Sequence, residues 1–69
     1  MLVVRDPDDL PGVIRKALKD RGVGQAQMAR DLGYSAKHIN QMLQGNAGIS
    51  IDVLFRIMRH LDVAVVFAP

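Results

Sequence analysis

Residues 25–45, QAQMARDLGYSAKHINQMLQG, constrain this chain more than any other stretch. They hold two helical patterns joined by Gly33-Tyr34-Ser35, a connection too tight for anything but a turn. The first pattern, residues 25–32, puts Met28, Ala29 and Leu32 toward a core. The second, residues 36–44, has Ser35 as its N-cap and spaces Ile39, Met42 and Leu43 at i, i+3 and i+4, one helix face. Its other face carries Lys37, Asn40, Gln41 and Gln44. Amides and a lysine aligned on an exposed face suit the donor and acceptor edges that bases present in a DNA major groove. A short scaffold helix, a glycine turn and a helix with a polar face form the layout of a helix-turn-helix.

The flanking sequence supplies the rest of a small, mainly α fold. Residues 1–5 are a short β-prone run, followed by a turn at Asp6-Pro7-Asp8-Asp9. Asp8 or Asp9 is expected to cap a first helix that tolerates Pro11 in its opening turn. That helix buries Leu10, Val13, Ile14, Ala17 and Leu18, shows Arg15, Lys16, Lys19 and Asp20 to water, and stops at Gly22. After a loop at Asn46-Ala47-Gly48, Ser50 caps a fourth helix expected to bury Ile51, Leu54, Phe55, Ile57, Met58 and Leu61. Residues 63–68 are apolar and β-branched, and read as a strand. Repeats and low-complexity segments are lacking.

Sixty-nine residues lead us to expect one helix-turn-helix domain over 1–69, with one core and no ligand-sensing unit. The chain has no cysteine, which excludes a disulfide framework and any cysteine-based metal site. Small unstapled domains often gain stability by oligomerising. The longest apolar runs are too short to cross a bilayer, so a cytoplasmic protein with no membrane partner is expected. The net charge is only +2, but it is unevenly spread. Arg15, Lys16, Lys19, Arg21, Arg30 and Lys37 face only Asp20 and Asp31 within residues 10–49. That excess suits phosphate attraction, although solvated helix faces alone would also account for it. Two histidines on different helices, with no Cys or Glu, do not make a zinc site, and no nucleophile–base pairing points to an enzyme. We expect no metal, cofactor or small-molecule ligand.

The chain resembles the Cro/C1-type, or XRE, helix-turn-helix proteins. Gln25, Ala29, Leu32, Gly33, Ser35, Ile39 and Gly45 stand at the family's motif positions, and residues 50–57, SIDVLFRI, look like its next helix. The resemblance spans roughly residues 10–63 and implies a compact four-helix, lambda-repressor-like fold with a short C-terminal strand, and an N-terminal strand as a further option. It also implies a sequence-specific regulator of double-stranded operator DNA, most simply a Cro-like repressor of a phage or bacterial cell that binds as a homodimer. The alternative is a DNA-binding antitoxin, whose main duty is to hold a toxin.

The same resemblance distributes roles. Lys37 and Gln41, one turn apart, are the leading base readers. Lysine can donate to guanine O6 and N7, and glutamine can bond adenine N6 and N7. Ala36 stands at another reading position, where it can touch only a thymine methyl or leave room, and Asn40 faces the same way. Gln25, at a helix N-terminus, is implied to bond a phosphate and brace the recognition helix. Gln44 and Asn46 form a further phosphate site. Ser35 is chiefly a cap and secondarily a phosphate ligand. His38 is either a phosphate ligand or plain polar surface, and Tyr34 either packs over the turn or reaches a phosphate. Many family members join the first and third helices by a buried ion pair. Leu18 and Leu43 occupy both positions here, so no charge is orphaned. The strand at 63–68 is expected to form the dimer interface through Val63, Val65, Val66 and Phe67, with pairing to residues 1–5 nearly as attractive.

Overall fold

A computed structural model describes residues 2–69. The elements run β1 (Leu2–Val4), a 3-10 turn (Pro7–Asp9), α1 (Leu10–Arg21), α2 (Gln25–Leu32), α3 (Ala36–Leu43), α4 (Ile51–Leu61) and β2 (Val65–Phe67). Met1, the first residue of the β-prone run, lies outside the described residues.

Each helix boundary has a chemical cause. The Asp6 carboxylate accepts from the Asp8 N–H at 2.9 Å, and the Asp6 N–H donates back to the Asp9 carboxylate at 3.2 Å. This capping box starts the 3-10 turn, which runs into α1 without a break. The cap is therefore Asp6. Asp9 sits at the N-cap position of α1 but spends its carboxylate on the turn, so the expectation of Asp8 or Asp9 is corrected. Ser35 and Ser50 cap α3 and α4 by accepting from the His38 and Val53 N–H groups, at 3.0 and 3.2 Å. Gly33 ends α2 at a φ of 79°, a left-handed conformation that glycine takes without strain.

The core joins Leu10, Ile14, Ala17 and Leu18 of α1 to Met28 and Ala29 of α2, Ile39, Met42 and Leu43 of α3, and Leu54, Ile57 and Leu61 of α4. Leu18 and Leu43 are both buried, as the absence of a charged pair at those positions predicts. Val13, Leu32 and Met58 are half-buried at its edge. Two expectations fail on α4. Ile51 is 63% exposed and Phe55 is 48% exposed. They are four residues apart, on the flank of the stripe formed by Leu54, Ile57 and Leu61, and the single layer beneath α4 covers only that stripe.

β2 is shorter than the expected 63–68 and pairs with β1 of its own chain, in parallel, with Leu2, Val3 and Val4 opposite Val65, Val66 and Phe67. Parallel strands need a long crossover, which the four helices supply. Val4 reaches the core, and Val63 and Val65 pack against it. No helix among the described residues is long and apolar enough to cross a membrane.

Candidate nucleic-acid interface

The pieces of the motif meet as helix, turn and helix. At the end of α2 the chain reverses through Gly33, and the Tyr34 N–H donates to the Ala29 carbonyl at 2.8 Å. Ser35 then opens α3 at once. Ile39, Met42 and Leu43 are buried to 1% exposure or less, which fixes the rotation of α3 about its axis. Everything else on the helix is displayed. Ala36, Lys37, His38, Asn40 and Gln41 are exposed, as are Gln44 and Asn46 just beyond the helix.

Contacts beneath this face hold it in place. Gln25 is half-buried at the first turn of α2, and its Nε2 donates to Asn40 Oδ1 at 3.1 Å. The brace between α2 and α3 therefore ends on a residue of the exposed face. The Ser35 oxygen accepts the cap bond, and its own O–H remains a donor. Tyr34 is half-buried over the turn, with its ring tilted 58° to that of His38 at a centroid separation of 6.0 Å. Asn46 Nδ2 reaches Gln44 Oε1 only at 3.4 Å, so both amides keep free capacity.

Electrostatics leave the motif positive. Among the described residues, an ion pair joins Arg56 to Asp52 at 3.4 Å, and His60 Nε2 lies 3.3 Å from the Asp31 carboxylate. The second contact links α2 to α4, and among the described residues Lys37 has no acidic partner. Arg15 is exposed, as the sequence pattern expects, and its Nη1 also donates to the Leu43 carbonyl. Neither that bond nor the Gln25–Asn40 bond has a signal in linear spacing, because each depends on how two helices cross.

A buried three-residue stripe under an outward row of lysine and amides, behind a tight glycine turn, defines a helix-turn-helix DNA-binding domain. The sequence pattern of the Cro/C1-type HTH DNA-binding domain matches residues 13–65, most of the chain, and the chain belongs to that family. No curated protein and no solved structure matches it significantly.

Proposed function

We propose that this DNA-binding domain is a sequence-specific regulator of transcription, a Cro-like repressor that occupies double-stranded operator DNA as a homodimer in the cytoplasm. The observation that carries the reading is the division of α3. Its apolar stripe is sealed, and every side chain with base-reading chemistry is exposed. Lys37 and Gln41 read base edges in the major groove, Ala36 leaves room for a thymine methyl, and Asn40 reads from the orientation that Gln25 gives it. Gln25, Ser35, His38, Gln44 and Asn46 hold the flanking phosphates, aided by the positive N-terminal ends of α2 and α3.

Two copies are proposed because the domain offers one recognition helix, while palindromic sites present half-sites about 34 Å apart. Its longest dimension is 33 Å. The free edge of β2 supports the same conclusion. Leu2 N–H bonds to Ala64 O and Ala68 N–H to Val4 O, both at 2.9 Å, so residues 64, 66 and 68 face β1. The backbone groups of Val65 and Phe67 then face outward, and Phe67 is 57% exposed. An antiparallel copy centred on Val66 would satisfy that edge and cover Phe67, while Val63 stays packed on its own core. A second reading, an antitoxin, draws on the exposed Ile51 and Phe55, which would suit a protein partner.

Selection of bound sites from random duplexes tests the proposal. A two-fold symmetric sequence should emerge. A protein that enriches no sequence is not a specific regulator.

A further inference from the structure

A helix must find partners for its last carbonyls, because no later turn donates to them. At the end of α3 three are met locally. Asn40 O accepts from the Gln44 N–H at 3.0 Å, Met42 O from Gly45 at 3.1 Å and Gln41 O from Asn46 at 2.9 Å. Gly45, at a φ of 79°, makes this reversal possible. The fourth carbonyl, Leu43 O, accepts from Arg15 Nη1, a donor 28 residues earlier in the chain, on α1. A guanidinium suits this place, since the helix C-terminus carries partial negative charge and the fork holds its direction.

Among the described residues, α3 has two hydrogen bonds to other helices. One is Gln25 to Asn40, from α2, and the other is Arg15 to Leu43, from α1. The remaining cohesion is apolar, through residues such as Leu18 and Leu43, and apolar contact is non-directional. Hydrogen bonds fix angle as well as distance.

We infer that Arg15 is a positioning residue for base recognition: it pins the C-terminal end of α3 to α1 and so sets the angle at which Lys37 and Gln41 enter the groove. The inference rests on the proposed reading of DNA by α3. It assigns Arg15 to the geometry of the reader, not to a phosphate.

The test compares wild type, Arg15→Met and Arg15→Lys on the best selected site and on a random-sequence duplex, across a salt series. Denaturant melts give the folded fraction. Methionine keeps much of the apolar stem and removes the donors. Arg15→Met should lose about tenfold on the selected site, the scale of a charged hydrogen bond, and nothing on the random duplex. The slope of log affinity against log salt should not change, and lysine should recover part of the loss. If both affinities fall together and the slope becomes shallower by about 0.9 per protomer, Arg15 is a phosphate contact and the inference is wrong. If neither affinity moves, the bond is structural only, and the inference is equally wrong. Should Arg15→Met unfold, Arg15→Lys decides alone, with a several-fold loss confined to the selected site as the expected result. A wild type with no sequence preference overturns the DNA reading itself, and that outcome is visible before any variant is measured.

Discussion

α3 and α4 are built by the same local rules and end in different uses. Each opens on a serine whose hydroxyl accepts from the N–H three residues on, and each buries a stripe of three aliphatic or methionine residues in the shared core. They differ in what lies outside the stripe. α3 shows Lys37, Asn40 and Gln41, whereas α4 shows Ile51 and Phe55 beside its charged residues. Folding information sits in the caps and the stripe, and functional information in the remainder. The polar remainder suits base edges. The apolar remainder suits a protein surface, and Ile51 shares a groove with Phe67 at the end of β2.

The strongest way to break this comparison is to damage the stripe. Leu43→Glu buries an unpaired charge and should cost about 3–5 kcal/mol in a denaturant melt. Adding Leu18→Arg should return part of that loss. A single variant that melts like wild type would mean that Leu43 is not in the core.

Next comes the proposed division between a DNA side and a protein side. Val65→Pro removes an N–H from the open edge of β2 and leaves the bonds to β1 intact. Sedimentation should then show monomers in place of dimers, with weakened operator binding. Dimers of full affinity would place the interface elsewhere. Gln41→Ala, on the DNA side, should cost about 1–3 kcal/mol on the best site and relax one base preference. Unchanged affinity and preference would remove Gln41 from the reading face.

The smallest effect sharpens the comparison most. Ser35→Ala and Ser50→Ala should each lower stability by about 1 kcal/mol, since both delete one cap. Only the first should weaken DNA binding in the folded protein. Equal losses of binding would show that the two helices are not functionally distinct.

The helix-turn-helix was legible in the sequence because its signals are local. Gly33, Ser35 and the Ile39, Met42 and Leu43 spacing lie within a few residues of what they control, and α3 ends one residue before the expected position 44. The exposure of Ala36, Lys37, Asn40 and Gln41 followed from the same stripe, since fixing what is buried fixes what is not. The misses have two sources, one long-range and one local. Ile51 and Phe55 have core-like composition, but burial depends on whether another element covers that flank, and among the described residues none does so fully. Arg15 is the surface residue its pattern implies, and only its bond to a backbone carbonyl two elements away lacked a signal in the sequence. The choice of Asp6 over Asp8 or Asp9 was a local ambiguity, decided when the 3-10 turn ran straight into α1.

The parallel pairing of β1 and β2 has a kinetic consequence. It joins Leu2 to Val65 across nearly the whole sequence, so its formation requires closure of a very long loop. The helix contacts close much shorter loops and repay their entropy earlier. The two-stranded sheet should be the last part to assemble and the first to open, and the Val66 amide should exchange with solvent sooner than that of Ile39. If a second copy adds to β2, it docks on the least persistent part of the protomer. Association would then draw its strength partly from holding that loop closed, and operator occupancy would depend on a closure far from any base.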